Sequence, residues 1–484
     1  MHIVFAATEC VPYAKTGEIA EVVAALPREL ARQGHRPTVY LPLYRQARRH
    51  LKEPTVVIPS LTIPFRYYNR FASVVDGGTR DGVQFYFVDC PELFDREFLY
   101  ETPSGEYADN AERFGLFCRA VLDSSKQLGV PDVFHAHGWP MGPLAVLLRT
   151  VYYFDPVLKN IACLFTVHNA GRQGLYPPQT VEQLLLPWEV YTPERAEFYD
   201  TFNFLKAGVV YSDAISTVSR KYAEEIQTPE FGAGLDGVFR QRAADLHGIL
   251  NGVDYRQWDP ASDSQIAAHF SAQRPEGKAG CRKDLLHALG APAIPEDTPV
   301  VGIVSRLATQ KGLDLLAEAA DQLAQEKMYL VLLGVGEPYY EKLAREWQER
   351  HPQKFAVRIA YDEMLLHRIV AGSDMVLLPS HYEPCGLTQI YGLKYGAPPV
   401  VRATGGLDDT VQQWNPASGE GVGFKFSGYR PEDLLAALRE AFAAFADKEQ
   451  WRALMRNGMA CDYSWRKPAA EYIRLYEEIV RRRS

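Results

Sequence analysis

Met375-Val376-Leu377-Leu378-Pro379-Ser380-His381-Tyr382-Glu383-Pro384-Cys385-Gly386-Leu387-Thr388-Gln389 opens the stretch that decides the fold. Four apolar residues in a row read as a buried strand of a parallel sheet. Gly386 to Tyr395 reads as a helix, closed by Gly396. A second apolar strand, Pro399 to Arg402, follows, and then Thr404-Gly405-Gly406. Strand, turn, helix, strand is the repeating unit of an open α/β sheet, which binds ligands at the carboxyl ends of its strands. Glu383 stands at such a turn. It either complements the dipole of the helix behind it or faces a ligand. The N–H groups of Gly386, Leu387 and Thr388 would leave the helix N-terminus ready for an anion. A carboxylate beside an anion hole suits a phosphorylated substrate.

The alternation extends in both directions. Strands are expected at Val300 to Val304, Tyr329 to Leu333 and Phe355 to Ala360, with helices between them. The first of these ends in Ser305-Arg306-Leu307-Ala308-Thr309-Gln310-Lys311-Gly312. Two cations at a strand end, Arg306 and Lys311, are suited to a diphosphate. Gly334-Val335-Gly336 marks another close backbone approach. The chain contains no Asp-x-Asp, so no metal–diphosphate clamp is expected and protein cations take that part.

The first half opens as a βαβ unit: a strand from His2 to Ala7, a helix from Ala20 to Arg32 and a strand from Arg36 to Leu41. In the loop between, Lys15-Thr16-Gly17 lacks Walker spacing. Lys15 is either a surface lysine or a phosphate contact at the strand end. Residues 51 to 110 read as short strands and loops, with Tyr67, Tyr68, Phe71, Phe85, Tyr86 and Phe87 as core and hairpin aromatics rather than a sugar platform. Asp109 to Leu128 reads as a helix. The strand Pro131 to Ala136 runs into His135-Ala136-His137-Gly138-Trp139, and Ile161 to Val167 runs into His168-Asn169. An H-x-H pair on a strand puts both rings on one face. With no cysteine or carboxylate cluster beside it, no metal is assigned. Two strands that both end in histidine suggest a shared crevice. Gly232-Ala233-Gly234-Leu235-Asp236-Gly237 matches the dinucleotide fingerprint, but Thr228-Pro229-Glu230-Phe231 before it is no strand, so it is rejected. Arg240 and Arg242 beyond it are candidates to face an anionic or polyhydroxyl ligand. Asn251-Gly252-Val253-Asp254 reads as a turn.

A chain of 484 residues is too long for one core, and two domains are expected, with the boundary near residue 250. Hydrophobic content of 47% and charged content of 23% are globular values, and a net charge of −8 argues against nucleic acid as a partner. Arg481-Arg482-Arg483 is expected to complement a helix C-terminus. The seven cysteines are scattered, with no C-x-x-C, which suits a reducing compartment. No apolar run approaches membrane-spanning length, and the apolar run at Ile3 to Ala7 is too short for a signal peptide. The expected location is the bacterial cytoplasm, or a plastid stroma after loss of a transit peptide.

These residues together resemble bacterial glycogen synthases and plant starch synthases over nearly the whole chain. The matching stretches are Lys15-Thr16-Gly17, Phe165-Thr166-Val167-His168-Asn169, Thr228-Pro229-Glu230-Phe231-Gly232 with Gly234-Leu235-Asp236-Gly237, and Asn251-Gly252-Val253-Asp254. Further matches are Ser305-Arg306-Leu307 with Gln310-Lys311-Gly312, Glu383 through Gln389, and Thr404-Gly405-Gly406-Leu407 with Asp409-Thr410-Val411. The resemblance implies the GT-B architecture, two Rossmann-like doubly wound α/β domains facing a central cleft. It implies a retaining transfer of glucose from ADP-glucose, or another donor such as UDP-glucose, to the non-reducing end of an α-1,4-glucan, without metal or organic cofactor. The first domain, 1–250, would lie on the acceptor side and the second, 251–465, would bind the nucleotide sugar, and the family's terminal helix, here about 466–484, would cross back to the first. By the same resemblance Glu383, His168, Arg306 and Lys311 carry catalysis. Lys15, Gly17, Arg306, Lys311, Tyr361, Cys385, Gly386, Leu387, Thr388, Thr404, Gly405 and Gly406 bind the donor, with Tyr361 near the adenine.

The chain departs from the family pattern in two places. Where the family continues Lys-Thr-Gly-Gly-Leu-Ala-Asp, this chain has Glu18, Ile19 and Glu21. At ~5 Å from a phosphate and an effective dielectric of about 20, the Glu18 charge would cost on the order of 3 kcal/mol, roughly a hundredfold in affinity. Where the family has Asp and His around the tryptophan after its H-x-H, this chain has Gly138 and Pro140. The alternatives to an active synthase are a divergent paralogue that binds glucan or regulates a synthase, and a GT-B enzyme using another sugar nucleotide.

Overall fold

The computed structural model describes residues 1–102 and 105–483. Pro103 and Ser104, inside the region expected as short strands and loops, and Ser484, the end of the expected terminal helix, lie outside the described residues. The chain divides into two compact units, Met1–Gly252 joined by the chain from Trp465 onward, and Val253–Ser464.

The first unit is built on a nine-stranded sheet. His2–Ala6 lies at its middle, fully buried, with Arg36–Pro42 parallel on one side and Val133–His137 parallel on the other. The strand order therefore reverses at His2–Ala6, and the carboxyl ends of His2–Ala6 and Val133–His137 form the topological switch point. Ala162–Val167, Ala214–Thr217 and Leu246–Gly248 continue the parallel sheet on the histidine side. On the other side Val83–Asp89 pairs parallel to Arg36–Pro42, and then Asn69–Arg80 and Thr55–Pro64 add antiparallel strands. The region expected as short strands and loops is thus a long hairpin plus a return strand. Phe85 and Phe87 enter the core against Tyr13. Tyr67 and Phe71 do not: they are 83% and 62% exposed, because the hairpin tip and one sheet face meet solvent.

Ile19–Arg32 is a helix whose buried residues include Val22, Val23, Leu26 and Leu30, the face its spacing indicates. The terminal helix Arg466–Arg483 belongs to the first unit and buries Tyr472, Leu475, Tyr476 and Ile479. Its arginines do more than complement a helix end. Arg482 pairs with Asp245 at 2.8 Å, and Arg483 pairs with Asp213, which also takes Arg149 at 2.5 Å. Arg242 is likewise structural. Arg242 donates to the carbonyls of Val209, Val210 and Ser212, which takes up its guanidinium, whereas Arg240 donates to the Gln227 carbonyl and pairs with Asp236 while its side chain stays 53% exposed.

The second unit carries six parallel strands, in the spatial order Phe355–Ile359, Tyr329–Gly334, Val300–Val304, Met375–Leu378, Pro399–Arg402, Phe424–Phe426. Its switch point lies between Val300–Val304 and Met375–Leu378. The segments Ser305–Gly312 and Pro379–Leu387 leave these two neighbouring strand ends, which fixes where its site must be. Asn251–Asp254 is not a turn. Val253 bridges Ser464, and its N–H donates to Tyr463 O at 2.7 Å. Trp258 is sandwiched between His367 and Tyr391 at centroid distances of 3.9 and 3.6 Å.

Tyr476 is fully buried, and its hydroxyl meets His135 Nδ1 at 2.8 Å. Tyr476→Ala should therefore lower stability by about 3–5 kcal/mol, read as a lower urea midpoint. An unchanged midpoint would mean the helix is not part of the core.

Candidate active site

In the second unit the strand ends bring Glu383 and Lys311 together. Lys311 Nζ donates to both Glu383 oxygens, at 2.8 and 2.6 Å, and Ser380 Oγ donates to Oε2 at 3.0 Å. Glu383 is 3% exposed. A carboxylate this deep must be paired, since burying a lone charge costs several kcal/mol. The helix after it starts at Thr388, with Leu387 as its cap residue, later than the expected Gly386. Gly386 instead lies in the preceding loop at φ +70°. Glu383 is thus five residues ahead of the helix, and its charge is held by Lys311, not chiefly by a dipole.

The Thr404-Gly405-Gly406 turn closes on the same loop. Thr404 caps the helix Gly405–Thr410, and Gly406 N donates to Glu383 O at 3.1 Å. A Cβ on Gly405 would stand 1.9 Å from Glu383 O, so only glycine fits. Cys385 and Leu387 are buried, and Thr388 is half-buried. Arg306 is exposed and donates to Gln310 Oε1 at 3.0 Å, while Gln310 O accepts from His381 N at 2.9 Å. Tyr361, 68% exposed, follows the edge strand Phe355–Ile359, which Tyr329–Gly334 separates from Val300–Val304.

In the first unit the loop after His2–Ala6 is organised by Glu9, which sequence reading passed over. Glu9 is 2% exposed and accepts from Thr16 N, Thr16 Oγ1, Gly17 N and Tyr100 OH. An acid three residues beyond a buried strand is the signal the sequence offers. Lys15 pairs with Glu21 at 2.7 Å. A Cβ on Gly17 would meet nothing within 4 Å, so open space lies before the loop. Glu18 caps the helix Ile19–Arg32 with ordinary helical backbone, φ −69° and ψ −23°, where any residue fits and an acid complements the dipole.

His135, His137 and His168 line the next strand ends. The His135 and His137 rings are 4.0 Å apart, and His137 Nδ1 meets His168 Nε2 at 3.0 Å. His135 is satisfied by Thr166 Oγ1 at 2.6 Å and by Tyr476. Burial pushes the His168 imidazole down to about 3, and burial, then the neighbouring imidazoles, holds His137 well below the usual range. His135 is lowered the same way. All three are neutral at neutral pH, so His168 offers hydrogen bonds rather than a cation. Gly138 follows at φ +73° and ψ 174°, a region essentially reserved for glycine. Ile19 Cδ1 lies 3.4 Å from where a Cβ on Gly138 would be, so the two departures from the family pattern pack against each other.

Two outcomes follow for this site. Gly138→Asp should cost about 1–3 kcal/mol through backbone strain, whereas Glu18→Gly should cost about 1 kcal/mol through the lost cap charge and added chain entropy. A Gly138→Asp midpoint in chemical denaturation equal to that of the unaltered protein would contradict the first. Between pH 6.5 and about 3 the His168 of the unfolded chain binds a proton that the folded one refuses. The stability this histidine lends is complete above 6.5 and falls as pH drops, by about 1.4 kcal/mol per unit, with His135 and His137 adding in the same direction. Urea unfolding at pH 7.5, 6.0 and 5.0 reads the slope, and a flat profile would contradict it.

The family model described as starch synthase catalytic domain matches residues 2–241, and the one described as glycosyl transferases group 1 matches residues 289–455. The chain is 54% identical to a glycogen synthase of Koribacter versatilis, over 99% of this chain and 98% of that one. It is 43% identical to a glycogen synthase of Syntrophotalea carbinolica, covering 99% of each. The catalytic domain of starch synthase IV from Arabidopsis thaliana, solved bound to ADP and acarbose, superposes with a TM-score of 0.91 at 30% identity over 99% of both chains. Sucrose-phosphate synthase from Thermosynechococcus elongatus shares the fold, with a TM-score of 0.60 at 18% identity over 99% of both.

Proposed function

The chain belongs to the glycogen and starch synthase family, retaining glycosyltransferases of GT-B architecture that elongate α-1,4-glucans, and from that premise we propose its donor and the role of each site residue. The donor is ADP-glucose and the acceptor is the non-reducing end of an α-1,4-glucan. The observation that carries this is the buried Lys311–Glu383–Ser380 group beside Arg306, at the switch point of an all-parallel sheet. The neighbour solved with ADP favours the adenine donor over UDP-glucose.

In the second unit, Arg306 and Lys311 neutralise the diphosphate as it departs, an electrostatic role that preorganised cations fill without metal. Glu383 orients Lys311 and holds sugar hydroxyls. The Gly386-Leu387-Thr388 backbone and the Thr404-Gly405-Gly406 turn contact phosphate and sugar, with Cys385 acting through its backbone because its side chain is buried. Tyr361 lies against the base. In the first unit, Lys15 and Gly17 reach the diphosphate, and His168 meets the sugar near its reacting carbon. The bond from that carbon to the diphosphate breaks as the bond to the acceptor oxygen forms on the same face. The acceptor proton passes to the leaving phosphate, so position and charge supply the catalysis. A cytoplasmic location agrees with the bacterial relatives and with free cysteines throughout the described residues. No helix among the described residues is long and apolar enough to cross a membrane.

Glucose incorporation from ADP-glucose and UDP-glucose into glycogen and a short maltodextrin tests this reading. ADP-glucose should be the better donor, and Glu383→Ala and Lys311→Ala should each lose about 10²–10³ in kcat/KM. A folded protein that incorporates from neither donor yet is retained on a glucan column would replace it with the glucan-binding paralogue suggested by Glu18 and Gly138.

A further inference from the structure

His137 carries a nitrogen that the site described so far leaves unexplained. Its ring is fully buried, with Phe5 stacked on it at 5.6 Å and His135 at 4.0 Å. Nδ1 meets His168 Nε2 at 3.0 Å, but Nε2 has no hydrogen-bond partner among the described residues. His135 offers no relief, because both of its nitrogens are engaged, by Thr166 and by Tyr476.

The contact between the two imidazoles needs one proton, and there are two ways to place it. If His168 donates from Nε2, neutral His137 must carry its own proton on Nε2, burying an N–H with no acceptor. If His137 donates from Nδ1, its Nε2 is a buried lone pair with no donor among the described residues, and neutral His168 must be protonated on Nδ1. Buried N–H groups left without an acceptor are rarer than acceptors left unfilled. The second arrangement therefore prevails.

We propose that His137 is a positioning residue that fixes the tautomer of His168, holding its proton on Nδ1 so that His168 presents a hydrogen-bond donor to substrate. The Nδ1 atom makes no hydrogen bond among the described residues and is not one of the buried unpartnered atoms, so it stays reachable. A donor there suits a sugar hydroxyl oxygen. A ring with the opposite tautomer would offer a lone pair and reverse the polarity of that contact. The inference rests on the proposed role of His168 for its effect on activity, but not for the tautomer itself.

The direct test is nitrogen NMR of the full-length protein with ¹⁵N-labelled histidine, with His168→Gln used to assign the signal. His168 should show a protonated Nδ1 and an unprotonated Nε2. A protonated Nε2 overturns the proposal even if every variant is inactive. His137→Asn places an amide N–H where Nδ1–H stood, so it should keep the His168 tautomer and most of the activity. His137→Phe removes the donor. It should release the tautomer and lower kcat on the order of tenfold with KM little changed, less than the loss of a residue that transfers a proton. Asn and Phe variants impaired alike, with the His168 signals unchanged in both, would overturn the positioning role. Unimpaired His168→Gln activity with the expected tautomer would instead remove the proposed role of His168 and leave the coupling standing.

Discussion

A buried carboxylate demands a counter-charge, and the pairing of Glu383 with Lys311 is the constraint on which the second unit's strand ends depend. Removing either partner would strand the other, which costs more than the pair itself contributes. The pair ties the segment after Val300–Val304 to the segment after Met375–Leu378, the two strands at which the sheet order reverses. The backbone around it is packed to match. Gly405 lies so close to Glu383 O that a side chain would collide, and Gln310 O accepts from His381 N. Arg306 alone of this group is exposed, held among the described residues to Gln310, so its charge is the one most open to a ligand.

The first unit solves the same problem with neutral groups. Its switch point is lined by three imidazoles that burial keeps uncharged, and by a loop wrapped on the Glu9 carboxylate. Lys15 is drawn toward Glu21, and Glu18 takes a cap position where its charge suits the helix. The replacements at 18 and 138 are therefore locally consistent. The backbone at 138 is shaped for glycine, and the backbone at 18 tolerates any side chain.

Much of this was legible in the chain. Continuous apolar runs such as Val300–Val304 and Met375–Leu378 mark buried parallel strands because both faces are covered. Ala214–Thr217, Leu246–Gly248 and Phe424–Phe426 are harder to read because they are short and interrupted by Ser216, His247 and Lys425. The long hairpin was misjudged because its strands contain bulges that break the alternation. Positions of site residues followed from strand ends, but partners did not. Nothing local announces that Lys311 and Glu383, 72 residues apart, form one pair, or that Arg242 spends its charge on carbonyls. The contacts of Glu9 with Tyr100 and of His137 with His168 likewise emerge only when distant segments are brought together.

On the proposed reading, the second unit's strand-end cations hold the donor diphosphate. Calorimetric titration of ADP into the full-length protein and into Arg306→Ala tests it most directly, because Arg306 is exposed and its loss leaves the Lys311–Glu383 pair intact. A charge-assisted contact of about 1.5–3 kcal/mol predicts that the variant binds ADP roughly 10- to 100-fold more weakly, with unchanged stability. Equal affinity in the two proteins, or no ADP binding by either, would contradict the account.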